Sequence, residues 1–364
     1  MFARNRSVRE VYNSAMRKKN GTIAKSSWTD EEQPDTVEDH FKLIMSDNSV
    51  IDSNHRNITP DDLPSWFDER LFKIGRNYYT RNILGITSAY LAGLFAVFLV
   101  PSISKLLIAT KRSSTPCAAF KRYLQTVLHV YNLHIHDYRD PDSKFYKSLN
   151  TIRWKHSTNS KCAMKRTDEG ITQQNMVLTQ YGFIGYVLLS ANVLALTNEP
   201  EEREGINHFW RVVGKLLGIP DKLNLCRESE SETTQLCERI KDEVYVKQLQ
   251  APTDDFFLLI STAIDGLFCV DMALDMEAFL AFFCDINNCK NTRKMSLYSK
   301  YNYLYRKFMF SVIKTPLIGP VVRSFWNVYF HTTYWFQERY PLIAWLKYGK
   351  AQSKITLYQP LVFK

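Results

Sequence analysis

The run ILGITSAYLAGLFAVFLV, residues 83–100, lies inside the longest charge-free stretch of the chain, 23 residues from Asn82 to Ser104. That length matches the apolar thickness of a bilayer. Gly85, Thr87, Ser88, Tyr90 and Gly93 make it less apolar than most spans. Basic residues flank both ends (Arg76 and Arg81; Lys105 and Lys111), so the distribution of cations assigns no orientation. The other reading is a helix buried at the centre of a large all-α domain. Both stand on the sequence alone, and both make the region helical.

The pattern outward from this run is helical almost throughout. Apolar residues recur at three- and four-residue spacing over 66–82, 83–99, 116–134, 143–161, 172–197, 205–218, 232–249, 255–270 and 272–285. A further set lies between 294 and 350, cut at Pro316, Pro320 and Pro341. No run of alternating apolar and polar residues argues for a sheet. The expectation is an all-α protein with one large helical domain over residues 55–350. A polar arm (1–54) precedes it, with a short helix after Thr29, and a tail (351–364) follows. The acidic, serine-rich RESESETT (227–234) reads as a surface connection. The 364 residues, 45% hydrophobic with 13 Gly and 13 Pro, exclude disordered, collagenous and low-complexity classes. Seven cysteines, an odd and sparse count, exclude a disulfide scaffold and suit reduced thiols of a cytoplasmic-facing domain.

The formal charge of +10 is concentrated at one end. From Asn291 to Lys364 there are 12 Lys and Arg against one acid, Glu338, together with 18 of the 49 aromatic residues. Cations interleaved with Trp and Tyr suit a membrane surface, where rings sit at headgroup depth beside anionic lipid. Basic helices packed on a core come second. Nucleic acid comes last, because no zinc-finger spacing or RNA-binding signature accompanies the charge. The first residues, MFARNRSVREVYNSAMRKKNGT, are basic with one acid, Glu10, and lack the apolar core of a signal peptide.

Chemistry concentrates in two segments. In FKRYLQTVLHVYNL (120–133), Arg122, Gln125, Thr126 and His129 fall on one helical face, a polar stripe on an otherwise apolar helix. The bland reading is a solvated face. The sharp one is a wall of hydrogen bonders turned into a ligand cavity. In SLNTIRWKHSTNSK (148–161), Arg153 and His156 are one turn apart, and His156 lies 30 residues after Thr126. A neutral imidazole can ligate haem iron, and an arginine beside it can pair with a propionate. The bland alternative is a packed core histidine. HIHD (134–137) has a weak metal-like spacing with no evident third ligand, and Cys284 and Cys289 have no second pair to bind zinc. Nucleophile-elbow, P-loop and dinucleotide fingerprints are absent from the sequence.

Taken in order, R-x-x-x-T (122–126), I-R-x-x-H (152–156), TQYGFIGYVLLS (179–190) and FWRVVGKLLGI (209–219) resemble the rubber oxygenase family. This is the family of the bacterial latex-clearing proteins and of fungal oxygenases bound to the endoplasmic reticulum, and the resemblance runs over roughly residues 65–330. It implies an all-helical domain with a globin-like core and extra helices, holding haem b through one proximal histidine and cleaving isoprenoid C=C bonds with O₂. Carried over by position, His156 resembles the iron ligand. Arg122 and Thr126 resemble the polar pair of the distal side, and Arg153 resembles the arginine of the histidine motif. The expected function is a haem b-dependent oxygenase acting on a lipophilic, isoprenoid- or lipid-like alkene at a membrane surface, that of the endoplasmic reticulum by resemblance. The other class to weigh is a non-catalytic membrane-associated carrier or sensor of haem or lipid on the same scaffold.

Three positions depart from the family pattern. Gln125 stands where the latex-clearing enzymes carry a lysine just before the motif threonine, and glutamine is a neutral hydrogen bonder rather than an iron ligand. No Asp or Glu occurs between Arg81 and Lys111, where those enzymes place a glutamate base. Ser160, followed by Lys161, replaces a second arginine after the histidine. Rubber is therefore set aside as the substrate. Arg122, Gln125 and Thr126 remain as the residues expected to steady charge on oxygen.

Overall fold

Helix starts and stops follow the chemistry of the caps. Thr36, Asp68, Thr115, Thr172 and Thr253 each accept a hydrogen bond from a backbone N–H in the first turn of the helix they precede. Pro101, Pro116, Pro200 and Pro320 sit in first turns, where the missing N–H costs nothing. The structure, a computed structural model, describes residues 32–52, 56–110, 115–167 and 169–358. The helix expected after Thr29 begins outside the described residues. Within them the first helix is α1 (Val37–Ser46), followed by α2 (Glu69–Arg81), α3 (Ile83–Leu99) and α4 (Pro101–Ala109). Then come α5 (Pro116–Ile135), α6 (Lys144–Thr167), α7 (Gln173–Leu189) and α8 (Pro200–Leu216). The chain continues through α9 (Glu230–Ile240), a π-helical turn (Lys241–Val246) and α10 (Lys247–Gln250). It ends in α11 (Asp254–Leu267), α12 (Met276–Ile286), α13 (Leu297–Ile313), α14 (Gly319–Arg339) and α15 (Leu342–Tyr348). Among the described residues the β pairing is one isolated antiparallel bridge, Val50 to Thr172. The fold is all-α.

The apolar run of residues 83–99 is α3, and it is core. Ile83, Ile86, Ala89, Phe95 and Phe98 are all buried, on every side of the helix. It packs against α7, and the backbones meet closely: a Cβ on Gly93 would collide with the carbonyl of Gly182. α2 and α8 meet in the same way at Gly75 and Gly205. Among the described residues no single helix is long and apolar enough to cross a membrane. Only the bent pair α2 and α3, at 95° to each other, passes by length and composition taken together.

Several boundaries differ from the sequence reading. Ser104, at the end of the charge-free stretch, belongs to α4, because Pro101 starts a new helix after Val100 turns extended. α7 stops at Leu189 rather than continuing to 197, and the following turn carries Ala195 at φ 51°. RESESETT is not simply surface. Arg227 is buried, donating to His40 Nδ1 at 3.0 Å and to Glu232, while Thr233 Oγ1 accepts from the Arg227 N–H at 2.7 Å. Its second half begins α9. All seven cysteines are free thiols, four of them buried.

Candidate haem site

α5 and α6 lie side by side, and two members of the α5 polar stripe, Gln125 and His129, meet α6 at one seam. Gln125 and His129 are a turn apart on α5. Between them the ammonium of Lys155, from α6, approaches Gln125 Oε1 at 3.2 Å and His129 Nε2 at 3.3 Å. An ammonium only donates, so His129 accepts at Nε2 and carries its proton on Nδ1. That Nδ1 is buried without a hydrogen-bond partner. Burial first, then the Lys155 charge, lowers the His129 pKa to about 3, so the ring is neutral.

His156 follows Lys155 on α6. Its ring sits among packed helices and keeps part of its surface accessible. Nδ1 is buried and makes no hydrogen bond to any described residue. Burial, then the charges of Arg153 and Lys155, lower its pKa to about 4. A neutral imidazole with an orphaned nitrogen is the form that binds a metal. Among the described residues no three His, Cys, Asp or Glu side chains converge on one point. A haem at His156 would have this one imidazole as its protein ligand; a cavity lined by Trp66, Asp68 and Lys73 and another lined by Phe282, Tyr303 and Lys314 both lie away from it.

The remaining sequence candidates divide. Arg122 is half-buried, with its guanidinium 5.7 Å from the centre of the Tyr123 ring. Thr126 is exposed and donates back to the Arg122 carbonyl at 3.1 Å. Arg153 is buried, and its Nη1 donates to the Leu216 carbonyl at 2.8 Å. That carbonyl lies in the last turn of α8, so the guanidinium meets the negative end of that helix. The Arg153 Nε is buried and unpartnered, one donor still to be matched. HIHD does not assemble into a metal pair. The His134 ring stacks between Tyr79 and Phe209, with centroids 3.9 and 4.2 Å away, while His136 caps the end of α5.

Three contributors escaped the sequence reading. Lys155 was hidden as an ordinary charged neighbour of His156. Asn132, one turn beyond His129, donates to Ser148 Oγ at 3.2 Å and to the Tyr358 hydroxyl at 2.8 Å. The C-terminal segment lies over the seam: Gln125 Nε2 donates to the Thr356 carbonyl at 3.0 Å, Leu357 is buried, and the Tyr358 ring stands 6.0 Å from His129. A tail of mixed polarity carries no local signal of what it covers.

No family model matches the chain, and no curated protein matches it in sequence. Among solved structures, one described as latex clearing protein in the closed state matches with a TM-score of 0.55. The match covers 75% of this chain and 76% of that one at 15% identity. At that identity the likeness shows the fold: this chain has an all-helical fold similar to that of latex clearing protein.

Proposed function

We propose that the protein is a haem b-dependent oxygenase that uses O₂ on a lipophilic alkene of isoprenoid or lipid type. The observation that carries the reading is His156: a half-buried, neutral imidazole whose buried Nδ1 has no partner, on the helix that faces Gln125 and His129. A bound haem would supply the redox chemistry that turns O₂ toward a C=C bond. His156 holds it from α6. The unpartnered Arg153 Nε–H is the donor on the same helix suited to a propionate. Gln125, half-buried, offers an amide that can steady negative charge, and Arg122 adds a cation one turn earlier.

The test is spectroscopic. Full-length protein expressed with haem supplied is expected to show a Soret band, and His156→Ala is expected to lose it while keeping its helical circular dichroism. Wild-type protein without Soret absorbance under those conditions would sink the proposal. A second reading, a non-catalytic carrier of haem or lipid, is favoured by the closed seam, where Lys155 holds Gln125 and His129 and the tail caps Gln125. Oxygen consumption by the reduced, haem-loaded protein with a panel of unsaturated lipids separates the two, since the carrier consumes none.

A further inference from the structure

α13 and α14 carry apolar side chains on two faces: Phe310, Ile313, Phe330 and Tyr334 are buried against the body. Polar side chains also face the body: Asn302 donates to the Ala273 carbonyl at 2.6 Å and Gln337 to the Cys269 carbonyl at 2.9 Å, both are buried, and their amide oxygens accept no hydrogen bond from the described residues. A second set of apolar residues faces out. On α13, Leu297, Tyr301, Leu304 and Phe308 recur at four-, three- and four-residue steps, and Leu304 and Phe308 are 62% and 63% exposed. On α14, Val321, Phe325 and Val328 repeat the pattern, with Trp335 beyond them. Leu317 (88% exposed) and Ile318 in the turn join the two stripes. Most of the large apolar side chains exposed anywhere among the described residues lie in this one segment. A contiguous exposed patch of this kind marks an interaction surface.

The charge selects the occupant. Lys294, Lys300 and Lys314 are exposed along or beside the stripes, within the stretch that carries 12 cations and one acid. A second copy of the chain would bring like charge against like charge. An anionic surface with an apolar interior would satisfy both properties at once. We infer that the outer faces of α13 and α14, with the Leu317–Ile318 turn between them, dock the protein in the plane of an anionic lipid bilayer. Leu304, Phe308 and Phe325 enter the acyl boundary, and Lys300 and Lys314 meet the headgroups. The inference stands whether or not His156 holds haem.

The experiment is flotation of the full chain with vesicles of phosphatidylcholine, with and without phosphatidylserine. Binding is expected to the mixed vesicles, weakening as salt rises. Leu304→Glu combined with Phe308→Glu is expected to abolish it. Lys300→Ala combined with Lys314→Ala is expected to weaken it on the order of tenfold and to flatten the salt dependence. Circular dichroism confirms that each variant is folded; these side chains are exposed, so the body does not depend on them. Three outcomes overturn the inference: no flotation of folded wild type, binding undiminished by the Leu304 and Phe308 substitutions, or a stable dimer in sedimentation that the same substitutions dissolve.

Discussion

At the scale of single residues, the site turns on one lysine between two neutral acceptors. The Lys155 ammonium sits 3.3 Å from His129 Nε2, and after burial it is the main cause of that ring's lowered pKa. Lys155→Met removes the charge and leaves the burial. The His129 pKa, about 3 in the wild type, is expected to rise and to stay below 6.5. An NMR titration of the ring carbons follows it, and an unchanged value would show that the ammonium does not reach the ring. His156 was legible in the sequence because its distance from Thr126 and the arginine one turn before it are linear features. Lys155 was not, because a lysine beside a histidine reads as a solvated charge until a second helix presents acceptors to it. Thr126 shows the converse: the motif places it beside Gln125, yet α5 turns it outward, where its hydroxyl returns to its own backbone.

At the scale of elements, packing through glycine sets how near the helices come. Gly93 and Gly182 bring α3 and α7 into backbone contact, and a Cβ at Gly93 would meet backbone rather than a yielding side chain. Gly93→Ala gains helix propensity of about 1 kcal/mol. It must also push two core helices apart, which costs about 3 kcal/mol, so net destabilisation is expected. The urea midpoint measures it, and a more stable variant would mean that α3 and α7 do not approach as described. Helix existence was legible along most of the chain, and α3 agrees with its expected bounds because Asn82 and Pro101 punctuate it. The errors have local causes. The 232–249 pattern carries a π-helical turn that periodicity does not register. Arg227 in RESESETT is buried where His40 of α1 and the Asp35 carbonyl, far away in sequence, meet it. The burial of α3 and the break at Pro101 come from tertiary packing that no window of hydropathy contains.

At the scale of the whole molecule, neutral histidines are spread through the body, and they set its response to acid. His134, stacked between Tyr79 and Phe209, has its pKa lowered to about 3, with burial the first cause. His40 and His208 are lowered to about 4 and accept hydrogen bonds from Arg227 and from the Asp68 N–H. With His129 and His156 they involve α1, the start of α2, α5, α6 and α8. In the unfolded chain each ring titrates near 6.5. The folded state therefore binds fewer protons than the unfolded state between 6.5 and the lowered values, and stability falls as pH drops through that window. Above it the contribution is fully present. For His134 alone the loss at about pH 5 is about 2 kcal/mol, and the other lowered rings, which also stay neutral at that pH in the folded state, act in the same direction. The urea midpoint is expected to fall between about pH 7.5 and about pH 5. His134→Phe, which keeps an aromatic ring in the Tyr79–Phe209 stack and removes the titrating nitrogen, is expected to recover part of that fall. A midpoint indifferent to pH over this range, or an unchanged slope in His134→Phe, would mean that water reaches these rings in the folded protein.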